Sequence, residues 1–596
     1  MNKTHQPLCR TLRSGLLCLV LIFSFTTANS STSVPANASG QNLVDSYIEA
    51  WTEFYPSSAF AYGDVSSATS FETFTELSKN QWLAFNKMTV SQTQALLDTD
   101  SINQSLRIDL QILLAQAENE LADWSEDQPL TEQPQWYAEQ ISQALTSLLI
   151  RDQLPAQQRS AALVARLIGI QQLCDTGIQQ LSGGNALRTE TAIRTLKGTR
   201  EFYAGNLRTL TADWPQASNT PDDADSIGNN IDLTVNAIER LEGHLRDKIL
   251  PKAGSSAAIG VAHYTAKLAR RTSGKYTPSV LLAEAGKEMQ DVRALMTLQA
   301  QRWLKSLPNN SLKTVTISGS PEQILAAAID AMEQDREDNS ADFLASFRTL
   351  TYAAERFVEQ HQLATIPKPT TLTIALSPTH FSGAAVGGVY PTGPFSPQAD
   401  TIFYVPSVSD SAPIEAKDGF YRSFNTHFNT MIMSHEMFPG HYLQYKVAVT
   451  QAPAVRSLFA NGSYVEGWGS FSEELMLDAG WADDAPLTRL AHLRKRLENA
   501  TRAYVSVQVN TAQWGESQVL SFARDEGLLA PQFAKNLWQR VVNSPMQITD
   551  YFTGAQQFRR LFVEHKASSP DAQTKPWVDA VLQAGPVPPV MLEPLL

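Results

Sequence analysis

Over long stretches of the chain, apolar residues recur at spacings of three and four. The segments 105-SLRIDLQILLAQAENELADW-124, 159-RSAALVARLIGIQQLCDTGIQQL-181 and 280-VLLAEAGKEMQDVRALMTLQAQRWL-304 all carry this pattern. Such spacing lays an apolar stripe along one side of an α-helix. The region from about residue 41 to 365 is therefore expected to be a succession of amphipathic helices. The stretches 182-SGG-184, 214-WPQASNTPDDADS-226 and 306-SLPNNS-311 interrupt it, because glycine, proline and small polar residues favour turns. No fixed period repeats along the chain, which disfavours a solenoid.

The pattern changes at 370-TTLTIALSPTHFSGAAVGGVYPTGPFSPQADTIFYVPSV-408. Two strand-like runs, Thr370 to Ala375 and Thr401 to Val405, flank a loop rich in glycine and proline, and together they predict a small hairpin-like sheet. Helical patterning resumes from about Phe420 to His565, and a proline-containing tail closes the chain. The expected fold class is mainly α: a large helical domain with a small β-sheet beside a cleft. Residues 39–596 are expected to form one domain, with a helical half over 39–365 and a chemistry-bearing half over 366–596.

The first 38 residues have a different character. Lys3, Arg10 and Arg13 precede an apolar run from Gly15 to Phe25, and small residues follow, with candidate cleavage points after Ala28 and Ala38. This is the layout of a secretory signal peptide, and the run is shorter than the roughly 20 residues that a spanning helix needs. The protein is thus expected to be exported, periplasmic or secreted, and anchored in the membrane only if the leader stays uncleaved. Cys9 and Cys18 lie in the leader and leave Cys174 alone in the mature chain, so no internal disulfide can form. Cys18 precedes most of the apolar run, which argues against a lipid-modified cysteine.

An apolar content of 43% with no low-complexity tract excludes a disordered chain. Loss of the three basic leader residues takes the formal net charge from −13 to −16. A surface of that sign repels nucleic acid phosphates and anionic headgroups, so neither nucleic acid nor stable membrane insertion is expected.

The candidate chemistry lies in 434-SHEMFPGHYLQ-444. A pair of metal-binding histidines on one helix is normally spaced four apart, but His435 and His441 are separated by six. In an unbroken helix that spacing turns the second side chain about 240° from the first. Pro439 cannot continue a helix cleanly, since its ring meets the carbonyl of the residue four back, His435. Gly440 tolerates backbone angles closed to other residues. A bulge or break at Pro439 and Gly440 would let His441 swing back beside His435. His427, the third histidine here, reads as structural.

A hydrolytic zinc site takes three protein ligands and leaves a position for water. Glu466, 25 residues after His441 in 464-YVEGWGSFSEELML-477, is the best third ligand. Glu473 lies two helical turns further on the same face, where it can orient a ligand; a solvated helix face is the alternative for Glu473 and Glu474. With His435, His441 and Glu466 on one Zn2+ per chain, Glu436 becomes the general base.

These residues resemble a known family. The run His435, Glu436, Pro439, Gly440, His441, Gln444, followed by Glu466-Gly467-Trp468 and Glu473, is similar to the bacterial domain-of-unknown-function 885 family, with its H-E-x-x-P-G-H-x-x-Q and downstream E-G-W motifs. The resemblance begins near 54-FYPSSAFAYGD-64 and runs to about residue 565. The family is grouped with glutamate-type zincins, and the Glu466 to Glu473 spacing is similar to that of thimet oligopeptidase-like and neurolysin-like peptidases. The resemblance implies a helical catalytic domain with zinc on His435, His441 and Glu466 and with Glu436 as base. Two motifs depart from the family. In 502-RAYVSVQVNTAQW-514, Ser506 and Asn510 stand where the family carries aspartate and histidine. In 540-RVVNSPMQITDYFTG-554, Arg540, Pro545, Gln547, Tyr551 and Gly554 are retained. Tyr551 can serve as an oxyanion donor or as a buried structural tyrosine. Arg502 and Arg540 can hold a substrate carboxylate or pair with core acids. Gln444, Asn510 and Tyr390 complete the set of candidate outer contacts, Tyr390 in a strand edge that could pair with a peptide or be plain hairpin.

The reading that results is an exported zinc metallopeptidase acting on oligopeptides. The alternatives are a noncatalytic peptide-binding or scaffold protein, which Ser506 and Asn510 favour, and a zinc hydrolase of non-peptide amides or esters.

Overall fold

The computed structural model describes residues 36–215, 226–308, 319–378, 387–568 and 573–596. The leader and the cleavage point after Ala28 lie outside these residues. The other candidate cleavage point, after Ala38, falls in the first turn of the helix Ala36–Phe54.

The chain is mainly helical with one small three-stranded sheet. Each of the three periodic segments is a helix: α1 (Gln104–Ser125), α2 (Ala156–Gln180) and α3 (Pro278–Ser306). Their starts follow from local chemistry. Asn103 caps α1 by accepting from the Leu106 N–H, and Thr277 caps α3, with Pro278 in the first turn. A short polar side chain there satisfies an amide that the helix leaves unpaired, and proline has no amide to leave unpaired.

The chemistry-bearing half contributes α4 (Thr426–Glu436), α5 (His441–Gln451), α6 (Gly462–Asp478), α7 (Pro486–Ala512) and α8 (Gln547–Ser568). Helix α7 lies along α3 and also touches α8, while α6 packs on α8 and α4 rests on both α6 and α7. One hydrophobic core joins Val44, Trp51, Leu110 and Ile170 of the first half to Met431, Trp468 and Phe558 of the second. A second core fills the α3–α7 seam with Leu281, Val292, Met296, Leu490, Leu497 and Val507. The halves are also tied by a buried ion pair, in which Arg456 donates from Nε to Asp109 Oδ1 and from Nη1 to the Ala584 carbonyl at 2.7 Å.

Two expectations need correction. The strands β1 (Leu372–Leu376) and β3 (Thr401–Val405) are not a hairpin: they run parallel, and β2 (Gly388–Tyr390) pairs antiparallel on the far side of β3. A parallel pair cannot be closed by a tight turn, and β2 stands between the two runs in sequence. The proline-containing tail holds a further helix, Thr574–Ala584, whose Trp577, Val578 and Val581 are buried in the main core. Among the described residues, no helix is long and apolar enough to cross a membrane.

Candidate metal centre

Helix α4 starts at the cap Asn425, which accepts from the Phe428 N–H at 3.0 Å, and it ends at Glu436. The four residues Met437 to Gly440 form a break, and α5 begins at His441 with Gly440 as its N-cap. The six-residue spacing is thus resolved by two separate helices, and the His435 and His441 rings meet with centroids 4.7 Å apart at 83°. Glycine at 440 is a packing requirement: a Cβ there would overlap the carbonyls of His435 and Ser434. Gly440→Ala is expected to force the two helices apart, costing about 1–3 kcal/mol as an overpacked site. Metal affinity should fall by more than the stability loss explains; thermal melts and metal titration of the variant, with affinity unchanged, would contradict the packing argument.

Helix α6 supplies the third donor. The Glu466 carboxylate oxygen Oε2 lies 3.8 Å from His435 Nε2 and 3.6 Å from His441 Nε2. One donor atom from each of the three residues lies within 4.8 Å of the others. Four-coordinate zinc with bonds of about 2.0–2.1 Å would hold its donors ~3.3–3.4 Å apart, so the triad is slightly wider than a bound ion would hold it. Motif residues around Glu466 account for this placement. A Cβ on Gly467 would overlap the backbone of Gly554, so glycine at both positions lets α6 and α8 touch. Trp468, fully buried, donates from Nε1 to the Pro439 carbonyl at 2.9 Å and ties α6 to the break.

Each histidine is held from behind. His435 donates from Nδ1 to Glu473 Oε1 at 2.8 Å, and His441 from Nδ1 to Gln444 Oε1 at 3.1 Å. Nε2 is then the ring atom that each imidazole turns toward Glu466, the orientation that metal-ligating imidazoles adopt. Glu473 is buried and accepts a second bond, from His492 Nδ1 at 2.9 Å. Burial opposes charge on Glu473, but its two histidines outweigh this and hold its carboxyl down at about 2. Glu466 is likewise held well below the usual carboxylate range, against burial, by His435 and His441. Burial works against a proton on His435 too, and contacts with Glu466 and Glu473 overcome it, raising its pKa to about 10. The same carboxylates that favour a proton on that ring would attract a cation placed there. Donor types, spacing and supporting bonds all fit one ion.

Glu436 is half-buried one residue beyond His435, and no side-chain hydrogen bond or ion pair engages its carboxylate among the described residues. Tyr551 stacks on His435 with centroids 6.5 Å apart at 19°. Its hydroxyl accepts from Gln547 Nε2 at 3.2 Å, and that amide nitrogen also lies 3.4 Å from Glu466 Oε1. Burial, then the Glu466 charge, pushes the phenol up to about 12, against Arg502 and Arg540, so it keeps its proton.

The other sequence candidates divide. Arg540 donates to Gln547 Oε1 at 2.7 Å, and Arg502 pairs with Glu498 and lies over Tyr551, so both adjoin the centre. Asn510 belongs to the framework: it accepts from the Ile259 N–H and donates to the Ser506 carbonyl. Ser506 in turn bonds Tyr264 and the Pro545 carbonyl. Tyr390 lies edge-on to Tyr404, and both line a separate cavity of about 560 Å³ with Arg166 and Tyr203. His427 bonds Thr488 at 3.0 Å and is structural. Glu474 is no solvated acid; Arg559 donates to it at 2.6 Å.

Sequence reasoning missed His492, Tyr445 and Lys495. Tyr445 is detectable, because it follows His441 by four residues and so shares its helix face. Its ring lies 5.9 Å from His441, and burial, then the charge of Glu466, raises its pKa. His492 carries no local signal, since it meets Glu473 only where α7 crosses α6.

Residues 56–596 match the family described as bacterial protein of unknown function (DUF885). The chain belongs to this family. No curated protein matches it. Two solved structures share the DUF885 chain's fold. One is a candidate lipoprotein of unknown function from Shewanella oneidensis, 20% identical, with a TM-score of 0.77 over 93% of this chain and 99% of that one. The other, a candidate lipoprotein from Colwellia psychrerythraea, is 15% identical, with a TM-score of 0.77 over 94% of this chain and 99% of that one. At these identities the likeness speaks for the fold alone.

Proposed function

We propose that this DUF885 protein is an exported zinc-dependent peptidase of the glutamate-type zincin kind, similar in its site to thimet oligopeptidase-like enzymes. The observation that carries the reading is the convergence of His435, His441 and Glu466 within 4.8 Å, both imidazoles held from behind through Nδ1. His435, His441 and Glu466 would hold the ion. Zinc, when bound in such a site, lowers the pKa of water toward about 7 and polarises a carbonyl.

The remaining chemistry belongs to side chains of this chain. Glu436, next to His435 and without a partner of its own among the described residues, takes the proton of the attacking water and returns it to the departing amine. Tyr551 accepts from Gln547 and so has its own O–H free to donate to the oxygen that gains charge as the carbonyl becomes tetrahedral. Glu473 and Gln444 hold the two imidazoles in the required tautomer and orientation. Ser506 and Asn510, the positions that favoured a noncatalytic scaffold, are used for framework hydrogen bonds and leave the triad intact. Export is supported by the leader's layout and by the description of both structural relatives as candidate lipoproteins.

Metal analysis of the purified protein and turnover of a mixed peptide library before and after chelation test the reading. The expected result is about one zinc per chain and cleavage that chelation abolishes and added zinc restores. A zinc-loaded protein that cleaves no peptide overturns it.

A further inference from the structure

Three cations gather around the ring of Tyr551. Arg502 lies 5.1 Å from the centre of its ring, Lys495 5.7 Å and Arg540 5.8 Å. Lys495 and Arg502 are seven residues apart on α7, two helical turns, and hence on one face. Arg540 arrives from a different helix, Pro531–Asn543. Among the described residues one carboxylate is within ion-pair distance of them: Glu498 pairs with Arg502 and sits 3.8 Å from Lys495, while Glu466 stands across Gln547 from Arg540. Arg540 has no carboxylate within ion-pair distance among the described residues, and its side chain bonds only the neutral Gln547.

The excess charge is costly where it stands. Lys495 and Arg502 are 13% and 10% exposed, so solvent screens their repulsion poorly without sealing them off entirely. Contact with an aromatic face offsets only part of that cost, and Glu498 is a single negative charge shared by Arg502 and Lys495. Burial, with help from Arg502 and Arg540, lowers the Lys495 ammonium's pKa even though Glu498 and Glu473 work in the other direction. A further anion, one not supplied by the chain, would relieve this arrangement.

We infer that Lys495, Arg502 and Arg540 form a receptor for the C-terminal carboxylate of the substrate, which makes peptides with a free C-terminus the substrate class. This rests on the hydrolytic reading of the metal centre. The placement relative to the triad sets the size of the released fragment. Tyr551 stacks 6.5 Å from His435, and the cations stand 5 to 6 Å from that same ring. An extended residue spans about 3.3–3.6 Å, so one to three residues fit between the cleaved bond and the carboxylate. The reaction is hydrolysis of that peptide bond. Water adds across C–N, the acyl side leaves as a new carboxylate and the amine side as a short C-terminal fragment. Guanidinium groups suit the planar terminal carboxylate because they can donate two parallel bonds.

The test uses full-length, zinc-loaded Glu436→Gln protein on a solid support and a degenerate pool of N-acetyl tetrapeptides. Each peptide is prepared both as the free acid and as the C-terminal amide, and retention is read by mass spectrometry. Free acids are expected to be retained at least tenfold over amides, with the preference falling to threefold or less in Arg502→Gln and in Arg540→Gln. Because Arg540 has no ionic partner to orphan, Arg540→Gln should keep the parent melting temperature, and Arg540→Lys should recover part of the preference. Equal retention of acids and amides, retention of neither, or a preference that survives both substitutions overturns the inference. Turnover of the same pool by wild type separates it from the hydrolytic reading. Acid-selective binding without cleavage would sink the peptidase and leave the receptor standing, whereas equal cleavage of acids and amides would do the reverse.

Discussion

Glu436→Gln is expected to keep one zinc per chain while lowering peptide turnover by about 10²- to 10⁴-fold, the range over which a positioned general base contributes. The substitution preserves size and removes only the ability to accept a proton. Glu436 stands outside the ligand set of His435, His441 and Glu466, and no described side chain depends on it for a hydrogen bond. Zinc content and melting temperature should therefore match wild type, and the loss should appear in kcat more than in KM. Equal turnover by the variant would remove Glu436 from the mechanism. Loss of zinc would make it a ligand instead.

His435→Ala should have the larger effect on the metal. It removes one of three donors and, with it, the bond by which Glu473 reaches the site. Zinc content is expected to fall to roughly a tenth of wild type or less at equal free zinc. Stability should fall as well, because Glu466 and Glu473 both lose a partner that offsets their burial. An orphaned buried ion pair costs about 3–5 kcal/mol. Glu473 keeps His492 at 2.9 Å, so a loss below that range is expected, measurable as a lowered Tm. Zinc content equal to that of wild type would refute the assigned ligand.

These two outcomes depend on the break between α4 and α5, which local sequence announces. Pro439 and Gly440 forbid a continuous helix, and of the two ways out, a bulge or a break, the chain takes the break. The reason is visible in the packing: Trp468 binds the Pro439 carbonyl, and Gly440 seats against the carbonyls at the end of α4. The motif residues Gly467 and Gly554 have a similar explanation. They are the contact point of α6 and α8, and that contact brings Tyr551 to His435.

What the sequence by itself determined was whatever a single segment can encode. The helix stripes of α1, α2 and α3, the caps at Asn103, Thr277 and Asn425, the interruption before His441, and the two-turn spacing of Glu466 and Glu473 all depend on neighbours within a few residues. Family membership was legible for the same reason, since its motifs are short and contiguous. Tertiary structure alone decided the parallel pairing of β1 with β3, because neither strand by itself sets register or direction. It also decided that Glu473 reaches His492, that Asn510 bonds the Ile259 N–H, and that Lys495, Arg502 and Arg540 gather over one tyrosine. Each of these is set by where helices cross, and a crossing is fixed by the packing of two apolar faces far apart in the chain, which neither segment specifies alone.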